Sequence, residues 1–529
     1  MSPLTLVVVA PALAALVLWW QGKRWSDIDV ARIGAGVSAF SLITAGFVWL
    51  TRGESVVHAG ETDYEWIPAL DIHWHLGMDG ISYCMVLLAT VLSGLCCLSL
   101  ARPPSREAAD QPDRRSLVVL VLVIEAASLG VFTALDLVLF FICFELALIP
   151  MWFVIAWWGD PHDPVGRRRA ATRFLLFTVL GSALMFIGFI GVAWQTGTLQ
   201  IDAITLRTVP LTGTLNTLLA VAIALGLAVK TPVWPLHIWL PDAHAKAPTI
   251  GSVLLAGVFL KLGTYGFVRI LVPILPVPSE EIGPYLAAFG VAGIVYGSLA
   301  CLRQSDLKRL IAYSSVGHMG FVALGVGTLT ASGLSAAVFI SVAHGLITGL
   351  LFFVAGWLKE RCGSSELSTL GSGLYGRMPW LAMAFGFGCL ASVGIPGLAG
   401  FWGEMLALRG AYETGPAMSE AGAWTLLGIA AFGIVLTTAY FVGLMRRLLH
   451  GEPVPAVSVG AGPATATATG TVETQDEADV EADAEPDLDR EERVVCIALV
   501  VSVVVLGLIP GLLSGPIAQA MPWIIGGVR

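Results

Sequence analysis

Charge is what this sequence has least of. Of its 529 residues only 13% are Asp, Glu, Lys or Arg, against 56% hydrophobic, and the mean hydropathy is +0.81. That balance excludes an ordinary soluble fold and leaves lipid as the solvent. Cysteine is sparse and badly placed for chemistry. The eight cysteines lie mostly inside apolar segments, as Cys84, Cys96, Cys97 and Cys143 do, and none forms a CxxC or cluster-ligand spacing. No redox centre is encoded here, and a disulfide framework is not expected. A rigid metal motif is lacking too: His237, Asp242 and His244 fall in a Pro-containing stretch, HIWLPDAH, that is not an HxxxH helix. Arg167, Arg168 and Arg169 suit topology and anionic headgroups, so nucleic acid is not expected as a partner.

What the sequence has in abundance is apolar runs of about 18 residues or more, the span a helix needs to cross roughly 30 Å of hydrocarbon. Fourteen such segments are predicted, starting near residues 3, 32, 78, 116, 136, 170, 216, 250, 285, 309, 333, 379, 423 and 494. The first is expected to be retained, because Lys23 and Arg24 follow its apolar stretch, whereas a signal peptide carries its charge before it. With the N-terminus outside, 22 of the 29 basic residues fall on the cytoplasmic side. Five fall outside: Arg52, Arg207, Arg269, Arg409 and Arg529. Lys230 and Lys261 remain, both within apolar segments.

Residues 452–492 break the pattern. They run through a Pro/Ala/Thr/Gly stretch into eleven acids between Glu473 and Glu492, and read as a disordered cytoplasmic loop. Without those acids, Arg490 and Arg493, the chain holds 27 acids and 27 bases. The net charge of -9 therefore belongs to this loop and says nothing about a substrate.

The expected architecture is an all-α integral membrane protein. Residues 1–115 hold three helices with an outer loop at 52–77. Residues 116–272 and 285–447 form two five-helix units, and 493–529 hold the last helix and a tail. Five is odd, so a repeated unit must be inverted relative to the first. Each unit is interrupted in its fourth helix, at Val229–Pro235 and at Gly394–Gly400. Interrupted helices at matching places of inverted repeats point to an ion site near the midplane; the plainer reading is a kink in a packed helix.

Ionisable groups inside these segments cost about 2.5–3.5 kcal/mol each at the bilayer centre, so each needs a partner, water or a function. The candidates are Glu125, Glu145, Lys230, Lys261, His318, His344 and Glu404. Glu145 with Lys230 reads either as a buried ion pair that fixes packing or as a switch in which closing the pair holds a proton and opening it releases one. A path then runs from that pair through Lys261, His318 and His344 to Glu404, histidine being suited to relay.

Four stretches carry a resemblance: Phe144–Met151 (FELALIPM), Val229–Thr249 (VKTPVWPLHIWLPDAHAKAPT), Lys261–Gly266 (KLGTYG) and Asp306–Gly320 (DLKRLIAYSSVGHMG). They resemble the antiporter-like subunits shared by respiratory complex I and the Mrp-type cation/proton antiporters, over roughly residues 75 to 447. The resemblance implies fourteen helices, two inverted units and a polar axis, with Glu145 and Lys230 as input pair, Lys261 central and a terminal group in the broken twelfth helix. Most of the family carries lysine there and M-type subunits carry glutamate, so Glu404 resembles the M type. It further implies a bacterial plasma membrane, the L and N antiporter-like subunits as neighbours, and proton translocation driven by NADH oxidation and quinone reduction in partner chains that hold the FMN, iron-sulfur clusters and quinone. No cofactor is expected on this chain. The alternatives are an Mrp-type antiporter subunit or its counterpart in a membrane-bound hydrogenase.

Overall fold

The structure, a computed structural model, describes residues 2–53, 57–102, 113–413, 418–451 and 487–526. Its elements are α1 (Pro3–Gln21), α2 (Asp27–Leu50), a hairpin of β1 (Ala59–Ile67) and β2 (Ile72–Met78), α3 (Gly80–Ser99), α4 (Arg114–Thr133), α5 (Leu137–Leu146), α6 (Leu148–Trp158), α7 (Pro164–Thr196), α8 (Ile201–Thr205), α9 (Thr214–Lys230) and α10 (Leu240–Lys246). They continue as α11 (Thr249–Ile274), α12 (Pro276–Leu302), α13 (Leu307–Thr328), α14 (Ala331–Cys362), α15 (Leu374–Arg377), α16 (Pro379–Ser392), α17 (Ala399–Tyr412), α18 (Glu420–Leu449), α19 (Arg490–Leu508) and α20 (Gly511–Ile525).

Among the described residues eleven helices are long and apolar enough to cross a membrane, α5 and α6 together making one of them. The other three predicted segments are broken or bent. α9 and α16 each stop short at a break, and α19 meets α20 at 63°. Length alone therefore gives eleven crossings, or twelve with the bent pair; fourteen counts the two interrupted segments as well. Pro510 explains the bend, since proline cannot continue a helix past its own position without losing a bond.

Helix starts are set by short polar side chains. Asp79 caps α3 through the Ser82 N–H, Asp136 caps α5 through Val138 and Leu139, and Asp306 caps α13 through Arg309. Two helices, α11 and α14, are buried throughout their apolar windows and form the centre, while α1, α2, α7 and α18 bury less than half of theirs, as lipid-facing helices do. α11 and α14 approach closely because glycines meet at the crossing: a Cβ on Gly345 would lie 3.0 Å from the Gly257 carbonyl oxygen.

Three expectations need correction. The stretch 52–77 is not a plain loop: Ala59–Ile67 and Ile72–Met78 pair antiparallel, with Tyr64 opposite Trp74 and Asp71 left-handed in the turn. Polar and aromatic residues alternate on both strands, a period of two that a search for long apolar runs passes over. The second unit begins at Pro276, one residue after α11, instead of at 285. The segment 452–492 lies outside the described residues up to 486, but its end is folded. Asp489 and Glu492 form a capping box at the start of α19, and Glu492 is fully buried between Arg102 and Arg361.

Candidate functional site

Lys230, Lys261 and Glu404 sit beside helix interruptions, whereas His318 and His344 lie within the unbroken α13 and α14. Pro150 lacks the N–H that would bond Leu146, and the helix breaks at Ala147 between α5 and α6. This frees the Phe144 carbonyl, which accepts from Lys230 Nζ at 3.2 Å. Lys230 is itself the last residue of α9, and its ammonium lies 3.9 Å from the centres of both the Phe144 and Phe259 rings. Desolvated cation–π contacts are worth about 2 kcal/mol and a hydrogen bond from a charged donor about 1.5–3. Together they exceed the roughly 2.5–3.5 kcal/mol that insertion scales give for a charge at mid-depth.

Lys261 repeats the device. It lies between two π-helical turns of α11, Leu255–Phe259 and Phe267–Leu271, and its Nζ donates to the Ala256 carbonyl at 2.7 Å. The same Nζ is 2.7 Å from Nδ1 of His344, whose Nε2 has no hydrogen-bond partner. The His344 and His318 rings stand 5.5 Å apart, and His318 Nε2 lies 3.9 Å from Glu404 Oε1. His318 faces carbonyls on both sides, Ser314 at 2.8 Å from Nδ1 and Ser392 at 3.1 Å from Nε2. A neutral ring donates from one nitrogen only, so the ring gains a bond on taking up a second proton. Ser392 ends α16, and its carbonyl is free because the helix breaks there. In that break Gly394 is left-handed, and a Cβ on it would come within 2.6 Å of Glu404 Oε2, so glycine leaves room for the carboxyl. A cavity of about 20 Å³ lined by His318, His344, Ser392 and Glu404 has space for about one water.

The structure thus brings together Lys261, His344, His318 and Glu404, with the Lys230 ammonium resting on the Phe259 ring two residues before Lys261. It does not pair Glu145 with Lys230: no ion pair closes between them, and Glu145 Oε1 is buried without a partner. Nor does it bring Glu125 to the file. That carboxyl accepts from Ser38 at 2.6 Å, between α4 and α2.

The sequence matches the family described as "NADH:quinone oxidoreductase/Mrp antiporter, TM" over residues 134–437, more than half the chain. NADH-quinone oxidoreductase subunit M of Rhodobacter capsulatus is 39% identical over 445 residues, 82% of this chain and 81% of its own. Its counterpart in Rickettsia conorii is 36% identical over 74% of this chain and 75% of its own. The chain belongs to the NADH:quinone oxidoreductase/Mrp antiporter family. Among solved structures, a chain of Thermus thermophilus respiratory complex I with bound NADH superposes with a TM-score of 0.82 at 26% identity, covering 99% of this chain and 100% of that one. The Mrp complex of Dietzia sp. DQ12-45-1b gives 0.81 at 22% identity, covering 99% of each, and speaks for the fold alone.

Within this family member the proton-path candidates leave out two buried groups, Lys308 and His244. Lys308 donates to the Ala247 carbonyl at 3.0 Å, again at a helix end. His244 is fully buried, stacked on Phe352 at 4.5 Å, and neither ring nitrogen has a partner. The available signal was position: both immediately border an interruption. Asp242, weighed beside His244 as a metal ligand, is instead held by Arg309 at 2.6 Å and Arg173 at 3.0 Å. Outside the spanning segments, Asp160 binds Lys246 and Lys359, each at 3.3 Å. Burial alone would raise its carboxyl, but the two lysines hold it below the usual range.

Proposed function

We propose that this chain is the M-type proton-translocating subunit of a bacterial NADH:quinone oxidoreductase, carrying protons from cytoplasm to outside along the central file. The observation that supports it best is the unbroken contact from Lys261 through His344 and His318 to Glu404. A protonated Lys261 passes its proton to His344 Nδ1 while the proton on Nε2 leaves toward the small cavity. Glu404 receives it there, directly or by way of His318, and becomes the neutral acid. Release outward restores the carboxylate, a flip of the neutral His344 ring presents its bare nitrogen to Lys261 once more, and Lys261 is reloaded from the side of Glu145 and Lys230.

In this reading the open Glu145–Lys230 pair is one state of a switch. Bringing the carboxylate to Lys230 holds a proton on the amine, and withdrawing it frees that proton for Lys261. Glu145 is half-buried with exposed Leu146 and Ile149 beside it, so an adjoining subunit can reach it. NADH oxidation and quinone reduction belong to partner chains that carry FMN, iron-sulfur clusters and quinone, and the L and N antiporter-like subunits are the proposed neighbours. The basic residues favour the N-terminus outside, with the acidic segment cytoplasmic. Purifying the chain in mild detergent tests the assignment. Flavin and iron-sulfur subunits should accompany it, and Glu404→Gln in that assembly should abolish NADH-driven acidification. A chain that purifies only with other antiporter subunits, and exchanges sodium for protons without NADH, overturns it.

A further inference from the structure

α11 carries a second polar file, running away from the first. Lys261, Tyr265 and Arg269 recur every four residues, so they share one face of the helix, and all three are fully buried. The Tyr265 hydroxyl is 2.9 Å from Ser82 Oγ. One turn on, Arg269 Nε is 3.1 Å from Asp79 Oδ2, and Nη2 is 3.4 Å from Asp202 Oδ1. Asp202 in turn holds His58 at 2.8 Å. The Trp523 ring of α20 covers the guanidinium, with its centre 4.0 Å from Cζ. Beyond this lies a pocket of about 800 Å³ on the hairpin side, whose walls include Asp79, Trp523, Arg52 and Arg207. The proposed orientation puts that pocket outside.

Water in the pocket therefore touches Asp79, and from Asp79 the hydroxyls of Ser82 and Tyr265 lead toward Lys261, which lies four residues or about 6 Å along the helix from Tyr265. Such a row would connect the central lysine to the outer side without passing His318 or Glu404, and would return every proton that Glu404 delivers. One group in it does not relay. A guanidinium keeps its proton at any physiological pH and repels an approaching one, the means by which fixed arginines bar protons from pores. Buried ion clusters seldom stabilise a fold more than apolar packing of the same volume, so packing alone gives this one little reason to exist.

We propose that Arg269, lidded by Trp523, is an electrostatic seal that closes the outer end of the α11 file, and that its role is to prevent proton return to Lys261. This rests on the reading of Lys261 as a proton carrier. The test uses the intact respiratory complex in proteoliposomes, with an imposed pH gradient and no NADH. Arg269→Gln with Asp79→Asn removes the charge without orphaning a carboxylate at that contact, and the gradient should collapse several-fold faster than with wild type. Arg269→Lys keeps the ion cluster but offers an amine that can give up its proton, and should leak in part. Adding Lys261→Met to the leaking variant should restore tightness. An assembled Arg269→Gln/Asp79→Asn complex as tight as wild type overturns the seal, and so does a leak that Lys261→Met leaves unchanged. Where the double variant does not assemble, Arg269→Lys, which keeps a partner for both carboxylates, takes its place; a tight Arg269→Lys complex then overturns the proposal. NADH-driven pumping by Lys261→Met alone separates the two readings. Normal pumping there removes the carrier role, whereas lost pumping beside a tight double variant removes only the seal.

Discussion

Two sets of buried charge share this fold and are held in opposite ways. At the ends, cations are locked to carboxylates: Glu492 lies between Arg102 and Arg361, and Arg269 between Asp79 and Asp202. In the middle, Lys230 and Lys261 have no ion pair among the described residues, and rest instead on carbonyl oxygens, aromatic rings and an imidazole. A carboxylate at salt-bridge distance would fix a proton on each lysine. A carbonyl stabilises the ammonium enough to bury it and leaves it free to give the proton up. The ends are built to stay put, and the centre is built to change state.

If that contrast holds, substitutions in the two regions should fail differently. Lys261→Met should cause the largest loss of function, with NADH-driven pumping falling to background while the complex assembles, because a neutral side chain leaves only a carbonyl and a histidine to rehydrate. Abundance and acidification measured on the same membranes check this; normal pumping in a full complement of complex breaks it. Glu492→Ala should do the reverse. It removes the fully buried carboxylate that binds both Arg102 and Arg361, at a cost of up to about 3–5 kcal/mol, so abundance should drop sharply while pumping per assembled complex stays near wild type. Glu145→Gln comes next: assembly preserved, pumping reduced several-fold, and Glu145→Asp retaining part of it. Loss of assembly in Glu145→Gln would mean that this residue belongs with the locked charges after all.

The two interruptions and the residues of the central file were legible in the sequence because proline and glycine beside an ionisable residue in an apolar run form a strong local pattern. The pairing of Glu145 with Lys230 was not, since a distance between side chains on α5 and α9 depends on how helices settle against each other. Glu125 misled for a related reason: depth in the bilayer can be counted along the chain, but the direction a helix face points cannot, and this one faces Ser38. The hairpin was hidden by its weaker period. The Glu492 lock was masked by composition, an acid at the end of an acidic run reading as solvent-exposed until Arg102 and Arg361 are seen around it.

A smaller effect belongs to the Asp160 loop. The carboxyl is depressed in the folded state, so its contribution is present above the unfolded value near 3.9 and is lost as pH falls through the folded one. Asp160→Asn should therefore lower the stability of the complex by about 1 kcal/mol at neutral pH, and the difference from wild type should fade as pH falls through the depressed folded-state range. A difference that persists in acid would show packing, not charge, at work.

The smallest effects are expected at the acidic segment, where the two kinds of region meet within a few residues. Its described ends dock on one short stretch: the His450 carbonyl accepts from the Gly373 N–H at 3.3 Å, and the Asp487 carboxylate accepts from the Trp380 and Leu381 N–H groups at 2.8 and 3.1 Å, capping α16. With the anchors so close along the chain, the connection has little distance to span, and closing a shorter loop costs no more than closing a longer one. Excising 473–486, which removes seven acids and no described contact, should leave abundance and pumping at wild-type levels. Asp487→Ala should cost about 1 kcal/mol, the usual value of a helix cap, and because α16 leads directly to the Ser392 carbonyl that holds His318, that loss should appear as slower pumping more than as lower abundance. Reversal of this order, with excision harming the complex and Asp487→Ala silent, would move the segment from the inert part of the molecule to the functional one.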